Sequence, residues 1–157
     1  MNLLFKEHLL FVEKLLNSKV EFLIIGGYAV IYHGYNRTTG DLDIWLKPTN
    51  TNKSKLIDLL QAEGYGTEEI ESLAALDFEK TLSFSLGEAP FTIDFINRIN
   101  LVEYGEAQAQ QNIVEMDHLK VPFLHLNHLI LSKMNTGRAK DAADIEELQK
   151  VKNSIKQ

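Results

Sequence analysis

Val20 to Ile25 (VEFLII) runs straight into Gly26-Gly27. A short apolar run that ends on a glycine pair reads as a buried strand entering a turn. Tyr28 to His33 then has helical spacing and is stopped by Gly34. Asp41 to Leu46 alternates, with Leu42, Ile44 and Leu46 facing one way and Asp41, Asp43 and Trp45 the other, which is the period of a strand. A buried strand, a glycine turn, a short helix and an alternating strand in direct succession call for a sheet with helices packed on it.

The rest of the chain agrees. Residues 3 to 16 carry leucines and a valine at helical spacing between charges, and predict an amphipathic helix. Pro48 and the polar TNTNKS stretch end the second strand, and Leu56 to Ala62 resumes a helical pattern before Gly64. Residues 66 to 79 give weak signals and read as a partly helical excursion. Thr81–Leu86 and Phe91–Ile96 flank Gly87-Glu88-Ala89-Pro90 and predict an antiparallel hairpin. Val102 to Gln111 reads as a helix, Asn112 to Val121 as one or two short strands around Asp117-His118, and Leu126 to Lys150 as two helices broken at Asn135-Thr136-Gly137. The expectation is one α+β domain over residues 1–157, a mixed sheet with packed helices and closing helices from about residue 126.

Composition narrows the chemistry. With no cysteine among its 157 residues, the chain has no disulfide framework, thiolate metal site or cysteine nucleophile, and a reducing cytoplasm is the expected setting. Oxygen and nitrogen groups must do any work. Lys6, Glu7, Glu13 and Lys14 interrupt the apolar N-terminus, so a signal peptide is not expected, and no uncharged run is long enough to span a membrane. A net charge of −6 argues against broad capture of nucleic acid, although a local basic pocket would survive it.

Asp41 and Asp43 on one strand face would stand about 7 Å apart. Like charges at that distance call for a cation, and Mg²⁺, held by one or two carboxylates plus substrate phosphates, suits the pair better than calcium or zinc. Read alone, such a pair is more often a solvated strand end. Asp94 alternates with Phe91, Ile93 and Phe95, and is either a charge that protects an edge strand or a further metal ligand and general base. Gly26-Gly27 is either an ordinary turn or a place where backbone N–H groups meet a phosphate. Arg37 is a surface arginine or a fork closing on the same phosphates.

In combination these residues form a pattern. IIGGYAVIYHGYNRTTGDLDIWL, Ile24 to Leu46, with Asp94 in FTIDFI, resembles the DNA polymerase β-like nucleotidyltransferase superfamily, and most nearly its AbiEii-type and uncharacterised bacterial branch. It is similar, more loosely, to small antibiotic adenylyltransferases. LSKMNTGRAKDAADIEEL, Leu131 to Leu148, resembles the closing helices of that branch.

The resemblance implies a palm-like mixed sheet and Mg²⁺-dependent transfer of a nucleoside monophosphate from an NTP, ATP being the expected one, to a hydroxyl on a protein, a tRNA or a small molecule. It implies two Mg²⁺ on Asp41, Asp43 and Asp94, and phosphate contacts from Gly26, Gly27, Arg37 and Lys133, with Arg138 and Lys140 as further nucleotide contacts. A toxin paired with an antitoxin, a lincosamide or aminoglycoside adenylyltransferase, and a catalytically silent binding module are the readings it leaves open. One departure stands out. Many relatives carry serine at the second turn position, its hydroxyl on a phosphate, where this chain has Gly27.

Among the remaining residues, Asp141 and Asp144 read as a salt-bridge lattice between two helices. His125 and His128 read as partly buried imidazoles rather than metal ligands. His33 is either a pocket wall or helix surface, and Trp45 reads as sheet packing.

Overall fold

The computed structural model describes residues 3–155. The chain runs α1 (Lys6–Asn17), β1 (Phe22–Ile25), α2 (Gly26–Tyr32), β2 (Leu42–Leu46), α3 (Asn50–Ala62) and α4 (Thr67–Ala74). It continues through β3 (Ser83–Leu86), β4 (Ile93–Ile96), α5 (Tyr104–Ala109), β5 (Asn112–Met116), β6 (Leu119–Phe123), α6 (Leu126–Lys133) and α7 (Ala139–Ile155). This is the expected α+β architecture. The strands form one six-stranded mixed sheet in the order β3-β4-β2-β1-β6-β5.

β1 is buried at all four positions because it is central, antiparallel to β2 on one side and parallel to β6 on the other. That explains why it reads as an unbroken apolar run. The alternation of β2 and β4 divides the sheet into two faces. Leu42, Ile44, Ile93 and Phe95 are buried on one face, where Phe11 of α1 meets Phe95 with ring centroids 6.1 Å apart. Asp43, Trp45, Asp94 and Ile96 point to the other, where Trp45 packs edge-to-face on Tyr104 of α5 at 5.1 Å. Trp45 is a packing residue, as expected.

Several boundaries differ from those the pattern predicts. Gly26 and Gly27 are the first residues of α2 rather than a turn before it. Asp41 lies outside β2, in an exposed bend one residue before it, so the expectation of two carboxylates in one strand is corrected. Leu42, whose N–H donates to Thr92 O at 3.1 Å, is the first residue gripped by the sheet.

The polar TNTNKS stretch is not a loop but the first turns of α3, capped by the Thr49 hydroxyl, which accepts from Asn52 N–H at 3.2 Å. Buried Asn52 also accepts from Glu21 N at 2.8 Å and donates to Glu21 O at 2.8 Å and Lys47 O at 3.2 Å, clipping the helix to the ends of β1 and β2. The excursion at 66–79 contains α4, α5 is shorter than Val102–Gln111, and Asp117-His118 turns the β5–β6 hairpin. No helix among the described residues is long and apolar enough to cross a membrane.

Candidate active site

The parallel register of β2 and β4 sets Asp43 directly opposite Asp94, and the antiparallel register of β3 sets Ser85 opposite Asp94. Strands lie about 4.8 Å apart, so the three side chains form a row across one face. The Ser85 hydroxyl donates to Asp94 Oδ1 at 2.5 Å. Burial, then the nearby charges of Asp94 and Asp41, push the Asp43 carboxyl up to about 6, although the Gly27 N–H and Lys133 pull the other way. Neither Asp43 nor Asp94 has a salt-bridge partner among the described residues.

Both glycines of α2 are required, Gly26 by this row and Gly27 by Thr39. Gly26 has φ +67°, and a Cβ there would come within 2.7 Å of Asp43 Cβ and Cγ. A Cβ on Gly27 would come within 2.6 Å of Thr39 Cβ. The serine that the resemblance would place at position 27 has no room, because the Thr39 side chain already fills that space.

Facing the sheet, α6 and α7 supply cations and the acids that hold them. Asp144, 1% exposed, accepts from Arg37 Nε at 3.1 Å and Nη2 at 3.2 Å, and pairs with Lys133 Nζ at 2.9 Å. Asp141 pairs with Lys133 Nζ at 3.3 Å and Arg138 Nε at 2.8 Å, and accepts from the Thr136 hydroxyl at 2.7 Å. Burial pushes the Asp141 carboxyl up, but Thr136, Lys133 and Arg138 together outweigh it and hold the carboxyl below its ordinary value. The expected lattice of Asp141 and Asp144 is present.

Between the two walls lies a cleft of about 420 Å³. Gly26, Gly27, Asp43 and Asp94 line one side and Lys133, Arg138 and Lys140 the other. The volume is that of a small-molecule site.

Over residues 5–156 the chain matches the family described as nucleotidyltransferase of unknown function, DUF6036. The chain belongs to this nucleotidyltransferase family. Among solved structures it is similar to the lincosamide antibiotic adenylyltransferase LnuA in its lincomycin-bound form, at 19% identity and TM-score 0.55 over 94% of this chain and 98% of that one. It is also similar to TM1012 of Thermotoga maritima, assigned as a nucleotidyltransferase, at 18% identity and TM-score 0.57 over 96% of each chain. At these identities the two likenesses speak to the fold. No curated protein matches the chain.

Of the residues singled out in the sequence of this nucleotidyltransferase, Asp43, Asp94, Gly26, Gly27, Arg37, Lys133, Arg138 and Lys140 all line the cleft. Asp41 does not. It is exposed at the approach to β2, near enough to raise Asp43 but apart from the Asp43–Asp94 pair, and among the described residues no group of three acid or imidazole side chains is placed to hold a metal ion. Arg37 lines the cleft with three of its five donors engaged, Nε and Nη2 on Asp144 and Nη1 on Thr38 O at 3.0 Å. Lys133 and Arg138 keep donors to spare.

Arg98, Asn100, Ser132 and Thr136 also line the nucleotidyltransferase cleft and were not singled out in the sequence. For two of them a signal existed. The alternation that sets Asp94 and Ile96 on the site face continues through Arg98 and Asn100. Three histidines are packing or capping residues. His33 Nε2 donates to Leu124 O at 2.7 Å, and His125 Nδ1 accepts from Asn127 N–H at 3.0 Å as the cap of α6, with His128 buried one turn on.

Proposed function

We propose that this nucleotidyltransferase is magnesium-dependent and moves a nucleoside monophosphate from an NTP, with ATP as the expected donor, to a hydroxyl. One observation carries the reading. Two carboxylates with no cation of their own face a cluster of basic side chains across a cleft floored by a glycine pair. The donor set suits a hard divalent ion: oxygen only, two groups side by side, one with its proton affinity raised by burial and by the other. Asp43 and Asp94 would hold Mg²⁺, with Asp41 outside the cleft. When bound, the metal neutralises the carboxylates and stabilises charge on the transferring phosphoryl group.

The chain's own groups do the rest. Gly26 and Gly27 let Asp43 and Thr39 pack against the floor of the cleft, and the Gly27 N–H bears on the Asp43 carboxylate. Lys133 and Arg138, held at fixed points by Asp141 and Asp144, would bear on the leaving phosphates, with Lys140 at the rim. Arg37 ties β2's approach to α7 through Asp144 and keeps two N–H groups for a phosphate. Asp94 would take the proton of the acceptor hydroxyl, with Ser85 fixing its carboxylate.

The test is transfer of label from α-³²P-labelled NTPs in the presence of Mg²⁺ to total RNA, cell protein, aminoglycosides or lincosamides. Asp43→Ala and Asp94→Ala should each lower transfer by about a thousandfold or more with the fold intact, on the scale of losing a preorganised charge-stabilising group. Full activity in either variant would refute the assignment.

A further inference from the structure

The row across β3, β4 and β2 has two different ends. Asp94 is in the middle, with Asp43 opposite it on one side and Ser85 opposite it on the other. At the Asp43 end stand the glycines of α2, and Lys133 is near enough to act on the Asp43 carboxylate. At the other end Ser85 is exposed, on a strand with no neighbour beyond it in the sheet.

In-line displacement gives each end a part. With the leaving phosphates of the nucleotide just proposed held toward Lys133 and Arg138, the attacking oxygen must come from the opposite side of the phosphorus. Ser85 carries an oxygen on that side. Its hydroxyl donates to Asp94 Oδ1 at 2.5 Å, the bond that an acceptor hydroxyl makes to its general base before giving up the proton.

Two hydroxyls that line the cleft itself are bonded differently. Ser132 donates to Leu129 O at 2.7 Å, a backbone carbonyl that cannot serve as a base. Thr136 donates to Asp141, whose carboxylate already holds Lys133 and Arg138. Of the three, only Ser85 is bonded to a carboxylate that has no ion-pair partner among the described residues.

We propose that Ser85 is a self-modification site, to which the protein transfers a nucleoside monophosphate from the NTP within its own chain. The proposal rests on the nucleotide reading above. Ser85 Oγ attacks the α-phosphorus while its proton passes to Asp94. The Oγ–phosphorus bond forms, the bond from the α-phosphorus to the bridging oxygen breaks, and pyrophosphate leaves. The product is a serine phosphodiester that covers Asp94, so the reaction stops at one nucleotide per chain.

The test is incubation of the purified protein with α- or γ-³²P-labelled NTPs, with and without Mg²⁺, followed by intact mass and peptide mapping, beside isothermal titration of the same NTPs. Label should enter from the α-phosphate alone, approach one nucleotide per chain and map to Ser85, at a rate per molecule independent of protein concentration. Ser85→Thr, which keeps a hydroxyl, should carry label at the same position, and Ser85→Ala none there. Asp94→Asn should label about a hundredfold more slowly or worse, the worth of a general base. Added wild type should not restore its label, because the transfer stays within one chain.

A protein that binds an NTP in Mg²⁺ yet stays unlabelled, label drawn from the γ-phosphate, label on another residue, or a rate per molecule that rises with protein concentration would overturn the proposal. Failure of every NTP to bind would instead overturn the nucleotide reading beneath it.

Discussion

Two pairs of aspartates border the same cleft and are kept in opposite ways. Asp141 and Asp144, nearly sealed from solvent, are each paired with two cations, and Asp141 with the Thr136 hydroxyl as well. Asp43 and Asp94 sit opposite one another with only a backbone N–H on one and a serine on the other. Charge taken out of water needs a partner. On the helix side the protein supplies it. On the sheet side it does not, and burial, followed by the crowding of like charges, raises Asp43 instead. A satisfied acid holds the molecule together, whereas an unsatisfied acid beside a cleft leaves a place for something that is not protein.

The comparison breaks most visibly at Asp144. Asp144→Ala removes the partner of Arg37 and one of the two acids on Lys133, leaving the largely buried Arg37 without its acid and Lys133 with Asp141 alone. Breaking a buried pair from one side costs about 3 to 5 kcal/mol. Urea unfolding should show a loss of that size. A loss under about 1 kcal/mol would place Asp144 with surface pairs and remove the contrast.

Asp43→Asn should move stability the other way. In the folded protein Asp43 titrates at about 6, above its ordinary 3.8, so the folded state holds its proton more tightly than the unfolded one. Metal-free stability therefore falls as pH rises from about 4 to about 6, and the penalty persists in full above that. Asn removes the charge. In chelator the variant should be the more stable at pH 7.5, by at most about 3 kcal/mol, with the difference vanishing below pH 4. Added Mg²⁺ should raise the wild-type melting temperature at pH 7.5 much more than that of the variant. A wild type at least as stable as Asp43→Asn in chelator at pH 7.5 would mean that the pair is already satisfied.

The two sides were not equally legible in the sequence. Asp43 and Asp94 could be read because a strand has a period of two, and a carboxylate among alternating apolar residues declares its face. Asp41 could not, because alternation says nothing about where pairing begins, and the sheet takes hold only at Leu42. Thr49 to Asn52 look like loop residues in sequence. They start a helix because the Asn52 amide reaches Glu21 and Lys47, contacts that exist only once the sheet is built. Gly27 looked like a missing hydroxyl until the structure placed Thr39 in the same space. The lattice of Asp141 and Asp144 was readable from helical spacing, but the part played by Arg37 in it was not, since that contact spans 107 residues.

The smallest expected effect gives the finest test of the division. Arg138 bonds Asp141 through Nε, yet its side chain is 75% exposed, and Asp141 has Lys133 and Thr136 besides. On the structural account, Arg138→Ala should cost under about 1 kcal/mol, as exposed ion pairs do. Arg138 lines the cleft and has two nitrogens besides Nε, so the same change should raise KM for the nucleotide several-fold while kcat moves less, the pattern of lost ground-state binding. Urea unfolding and steady-state kinetics on one variant separate these contributions. A large stability loss with unchanged KM would move Arg138 wholly into the lattice. The expected reverse would show that a cation can be anchored by a structural acid and still be spent on substrate.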